Sequence, residues 1–273
     1  MVVVGSGIMA ENLTSNEFNI LLANTIVTGA GLTALIWIFI NISGAHFNPA
    51  VSLVMFLNKE LKFDHLVYFI FFQCLGGFFG TLLANLMFNL DPISISSNVR
   101  SGSNIYLSEF IATFGLILTI LGSRRLSKKI VAPSVGLYIT AGYWFTSSTS
   151  FANPSVTLAR GFTDTFTGIS PEYILPFICF QIIGAITAFI FSGLLYITQS
   201  VNSLYDENGF LIGEGIWIEL FSKGGSKSFG KLWFPETEGI GNIIALWVLA
   251  DGFIRALALM IFGMLLYLSL IHI

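Results

Sequence analysis

Between apolar runs long enough to cross a lipid bilayer, this chain twice inserts an apolar segment of about half the crossing length, and both short segments begin with Asn-Pro. They are Asn48 to Leu57 and Asn153 to Phe162. A helix crossing a hydrocarbon core of about 30 Å needs roughly 20 apolar residues. Phe18 to Ile40, Leu66 to Phe88, Ile105 to Gly122, Ile130 to Phe145 with its polar extension, and Tyr173 to Ile197 qualify as spans. Ile243 to Leu268 is a further candidate near the C-terminus. The two short segments are expected to be re-entrant half-helices, entering and leaving by one face. The apolar stretch Met1 to Met9 carries no charged leader and no small-residue cleavage site, so it is not a signal peptide. It is expected to be the end of a membrane helix, truncated in this chain.

Composition removes most other readings. Hydrophobic residues make up 55% of the chain, charged residues only 10%, and mean hydropathy is +0.82, whereas a soluble domain is nearer roughly 25% charged. The chain is therefore a membrane protein. A net charge of −3 without a dense basic run argues against a nucleic-acid partner. Cys74 and Cys179 lie in apolar runs and read as packing residues. No phosphate-cradling Gly loop and no metal-ligand spacing occurs, and the Ser148-Thr149-Ser150 cluster lacks a usable His and Asp, so neither an enzyme nor a cofactor is expected.

The chain also repeats itself. Asn48-Pro49-Ala50-Val51 recurs as Asn153-Pro154-Ser155-Val156, and each copy precedes a span bearing Gln then Gly, with Gln73 and Gly76 in one and Gln181 and Gly184 in the other. Each copy then holds three spans with a half-helix between the second and third. An odd number of spans forces the copies into opposite orientations, so the half-helices enter from opposite faces. Asn is a favoured helix cap and Pro at the first helical position gives up a donor that has no partner there. Two helix starts buried at membrane depth are tolerated only around protein or a wet cavity, which implies an aqueous path. Lys59, Lys62, Arg124, Arg125, Lys128 and Lys129 mark cytoplasmic loops, leaving Asn89 to Asn104 and Arg160 to Ser170 outside.

The run Ser43-Gly44-Ala45-His46-Phe47-Asn48-Pro49-Ala50-Val51, the second Asn-Pro motif, Glu109 with Thr113, and the Gln-Gly spans resemble the major intrinsic proteins, the aquaporin and aquaglyceroporin family. The match covers about residues 1 to 199. The resemblance implies an all-α membrane fold, an inverted repeat of transmembrane helices with two re-entrant half-helices. It also implies a homotetramer in membrane lipid with one pore per subunit, passing water or small neutral solutes. Asn48 and Asn153 are expected to orient the permeant, with Pro49, Ala50, Pro154 and Ser155 completing the motifs. His46 and Glu109 are expected to be scaffold, not gate or proton relay, and Gln73 and Gln181 to bridge helices. Glycines such as Gly29, Gly76, Gly77, Gly80 and Gly184 are expected to allow close packing.

The resemblance also exposes a departure. The family usually carries Arg three residues after the second motif's Asn, where this chain has Val156. Aligned in the same way, the other constriction positions fall on Thr28, Ala141 and Ser150, none aromatic and none charged. The expectation is a relaxed pore lacking a cationic gate, for water and glycerol-like polyols or metalloid hydroxides such as arsenous acid, in a bacterial inner membrane. It resembles a bacterial subgroup associated with arsenic resistance. A non-conducting scaffold of the same fold is the alternative. Three regions are expected: a channel domain over 1–199, a polar linker over 200–241, and an extra hydrophobic helix over 242–273 with no counterpart in the resemblance and an uncertain origin.

Overall fold

The computed structural model describes residues 1–202, with side chains through residue 195. Residues Met1–Ser192 form one compact unit, distinct from the unit that begins at Gly193. The expected linker beyond residue 202 and the extra hydrophobic helix lie outside the described residues.

Helices follow the apolar runs closely. They are α1 (Val2–Leu13), α2 (Glu17–Phe39), α3 (Pro49–Leu57), α4 (Phe63–Met87), α5 (Ser103–Leu126), α6 (Val131–Phe145), α7 (Pro154–Ala159) and α8 (Pro171–Asn202). Their order gives two copies of one unit: α1, α2, half-helix α3, α4, then α5, α6, half-helix α7, α8. Local chemistry fixes several ends. Asn16 accepts from the Asn19 N–H at 3.1 Å and starts α2, while Arg124 and Arg125 in the last turn of α5 suit the negative end of its dipole.

Four helices, α2, α4, α5 and the Pro171–Leu195 part of α8, are long and apolar enough to cross a bilayer. Helix α6 differs from its expected length. It runs 15 residues, about 22 Å at 1.5 Å per residue, because the polar Thr146–Asn153 stretch leaves the helix to lead into α7. A 3-10 turn, Lys128–Ile130, precedes it, and another, Arg160–Phe162, extends α7.

The core lies where the two copies meet, around Val54 of α3, Ala112 and Ile117 of α5, Ala132 of α6 and Ala188 of α8. The periphery is apolar too, with Phe18, Ile26, Phe71, Phe79 and Leu137 exposed. Such a surface is expected only in lipid or against another membrane subunit.

Close helix contact depends on small residues. Helix α2 packs on α6 where Gly29 faces Thr140 and the Gly136 carbonyl, and Gly136 faces Thr33 and the Gly29 carbonyl. Gly184 of α8 meets the Phe110 backbone of α5, and Gly77 meets α7 at the Ser155 carbonyl. Gly76 faces open space and makes no such contact, which corrects its expected role. Substituting Gly136→Leu should therefore destabilise the α2–α6 pair by overpacking, by about 1–3 kcal/mol or more. A lowered thermal midpoint in detergent should follow, with Gly76→Leu leaving the midpoint unchanged.

Candidate pore and its lining

The two Asn-Pro motifs meet tip to tip. Asn48 caps α3 by accepting from the Ala50 N–H at 2.9 Å, and its amide reaches across to the Ala152 carbonyl at 2.7 Å. Asn153 mirrors it. Its oxygen accepts from the Ser155 N–H at 3.0 Å and its amide donates to the Phe47 carbonyl at 2.8 Å. Each asparagine thus joins its own half-helix to the loop entering the other. The symmetry extends to the backbone. Three residues and one residue before each asparagine the chain adopts left-handed φ without glycine, at Ala45 (51°) and Phe47 (49°) and again at Ser150 (51°) and Ala152 (49°). Non-glycine residues there cost on the order of 1–3 kcal/mol each, so the surroundings must hold them.

Part of that support comes from Glu109, which is fully buried on α5. Its two carboxylate oxygens accept from the Phe151 and Ala152 N–H groups at 2.9 Å each. Gln181 of α8 donates to the same carboxylate at 2.6 Å and to Thr157 of α7 at 2.8 Å. Gln73 stands in the matching place of the first copy, donating to Ser52 at 2.9 Å. His46 Nδ1 lies 3.1 Å from the same Ser52 hydroxyl, and its ring packs on Phe69. His46 lies on the loop entering α3, and Gln73, Glu109 and Gln181 reach from α4, α5 and α8 to bond a half-helix or the loop entering one.

A cavity of about 390 Å³ runs past the two tips. Its shape follows from helix periodicity: Val131, Val135, Ile139 and Tyr143 recur every fourth residue on α6 and all line it, a ladder of about 18 Å. Leu116, Ile120 and Arg124 of α5 form a second ladder with the same spacing. Near one end stands an ion pair between Arg124 and Glu60, with Asn58 donating to Glu60 at 2.6 Å. Burial alone would push the Glu60 carboxyl up, but the Arg124 and Asn58 hydrogen bonds and the Arg124 charge outweigh it and hold it below its ordinary value. Both side chains are more than a third exposed, so the pair contributes at most about 1 kcal/mol to stability.

At the other end the expected constriction needs correction. Of the four aligned positions, Thr28, Ser150 and Val156 line the cavity and Ala141 does not. It is exposed on α6, because it lies two residues, about 200°, from the cavity face carrying Ile139 and Tyr143. Tyr143 takes that place, donating from its hydroxyl to Thr28 at 3.3 Å. Residues outside the four aligned positions bring aromatic and charged groups to this end. Phe151 and Arg160 line this end, with Arg160 only 3% exposed and its guanidinium carbon 3.4 Å from the centre of the Phe151 ring. Arg160 was legible in principle. It follows Val156 by four residues, so a continued helical turn returns it to the same wall.

Buried reverse-capped half-helices meeting inside a bundle, with an elongated cavity alongside, define a pore-forming, multi-pass membrane protein. The major intrinsic protein family model matches residues 1–149. The chain is 51% identical over 186 residues to aquaglyceroporin AqpS of Rhizobium meliloti (strain 1021), covering 68% of this chain and 80% of that protein. It is 28% identical over 172 residues to aquaporin NIP3-1 of Arabidopsis thaliana, covering 58% of this chain and 53% of that one. Among solved structures, the aquaglyceroporin from Plasmodium falciparum shares the fold at a TM-score of 0.54 and 22% identity, over 70% of this chain and 88% of that one. The chain belongs to the major intrinsic protein family.

Proposed function

We propose that the protein is a passive channel for water and small neutral solutes, of the class of glycerol-like polyols and metalloid hydroxides such as arsenous acid. It acts as a homotetramer in a bacterial inner membrane. The observation that carries this reading is the cavity passing both asparagine tips, its walls mostly aliphatic with polar groups confined to a few levels. An ion would lose hydration along the aliphatic ladders without replacement ligands, whereas a neutral hydroxylic molecule loses less and can exchange hydrogen bonds at the asparagines. Within this reading Asn48 and Asn153 orient the solute, while Thr28, Ser150 and Val156 with Tyr143 set the narrow level.

Stopped-flow light scattering on proteoliposomes tests it with glycerol, arsenite at neutral pH, urea and water. Glycerol and arsenite should pass well above protein-free vesicles. Water flux with complete exclusion of glycerol would reject the solute class. Vesicles no leakier than protein-free ones would favour a non-conducting scaffold.

A further inference from the structure

We infer that Arg160 is the charge-selecting residue of this pore, held in place by a two-arginine stack on Phe151; the inference rests on the channel reading above. Arg160 follows Val156 by one helical turn, in the 3-10 extension of α7, and its side chain is buried while still lining the cavity. Phe151, whose N–H is fixed by Glu109, presents its ring to Arg160, and the guanidinium carbon of Arg100 lies 5.0 Å from the same ring.

The strand of loop outside the stack supplies three successive carbonyls. Arg160 Nε donates to Thr167, and Arg100 donates through Nε to Gly168 at 2.8 Å and through Nη2 to Phe166 at 3.0 Å. Arg100 thereby ties the outer loops together and backs the ring, acting as a positioning residue. Arg160 spends Nε on the loop. Among the described residues no hydrogen bond occupies its terminal nitrogens, which leaves donors available on a residue that lines the cavity.

One further group at this level lacks a partner. Ser150, 3% exposed and lining the cavity, has a buried hydroxyl with no hydrogen bond. A buried unpaired hydroxyl is costly and implies an occupant that bonds to it. A fixed cation and an unpaired hydroxyl lining one cavity repel other cations and offer hydrogen bonds to a neutral hydroxylic solute. Charge rejection then comes from this level as well as from the loss of hydration along the aliphatic ladders.

The test uses proteoliposomes of the wild type, Arg160→Gln and Arg160→Lys, scoring glycerol flux by light scattering and proton and K⁺ leak with an entrapped dye. In Arg160→Gln vesicles that still pass glycerol, at whatever rate, cation leak should rise on the order of tenfold or more, the scale set by removing one partly desolvated unit charge. Arg160→Lys should restore tightness to cations. Glycerol flux in Arg160→Gln with cation leak at the wild-type level overturns the inference. Because Arg160→Gln also loses the Thr167 tie, the wild type supplies an independent reading: its residual ion leak should favour Cl⁻ over K⁺, and the reverse preference overturns the inference too. A wild type that passes neither glycerol nor water would instead fail the channel reading itself.

Discussion

Replacing Glu109 by Ala is expected to prevent a stable channel from assembling. The carboxylate is fully buried and accepts from the Phe151 N–H, the Ala152 N–H and the Gln181 amide. Removing it leaves the Phe151 and Ala152 N–H groups without partners and the Gln181 amide with Thr157 alone, and breaking a buried charged network of this kind costs about 3–5 kcal/mol. One of the two backbone donors belongs to Ala152, held at φ 49°, so the strained loop loses its anchor together with its hydrogen bonds. Glu109→Gln should be intermediate, since its carbonyl keeps one acceptor while its NH₂ group faces a donor. Thermal unfolding in detergent checks both, with the midpoint falling in the order wild type, Gln, Ala. A Glu109→Ala protein as stable as wild type would mean that the carboxylate does not hold the loop.

The second large effect is expected at the tips. Asn48→Ala combined with Asn153→Ala removes both caps and both cross-links, leaving the Ala152 and Phe47 carbonyls without these donors. Loss of a cap costs typically about 1 kcal/mol, and an orphaned buried acceptor about 1–3 kcal/mol. The two sites share one junction, so their effects should be non-additive, with a coupling of about 0.5–3 kcal/mol measurable in a double-mutant cycle. Solute flux in the double variant should fall toward the protein-free background, because the groups that order the permeant and the geometry that presents them vanish together. Additive unfolding energies with unchanged flux would show that the tips do not act as a unit.

The legibility of this protein differed by level. Element type and order were readable because bilayer thickness demands a minimum apolar length, and α2, α4, α5 and α8 all supply it. The half-helices were readable because Asn-Pro is a start signal whose chemistry is local. The pore wall was less so. Counting twelve residues back from Asn153 reached Ala141, whereas the cavity face carries Tyr143; an offset of two residues turns a helical side chain to the far side. Arg160 reaches the same wall because it lies four positions beyond Val156, a spacing that preserves the face. The partnership of Glu109 with Phe151 and Ala152 crosses 42 and 43 residues, and no local pattern announces it.

The set of helices, their caps and the duplicated plan are local properties, since each follows from hydropathy, length or a side chain bonding its own backbone. Tertiary structure alone decided which residues face the cavity and which groups are satisfied across copies. That outcome depends on helix rotation and on how closely Gly29 and Gly136 let α2 and α6 approach, where a shift of two residues exchanges an exposed alanine for a cavity-lining tyrosine.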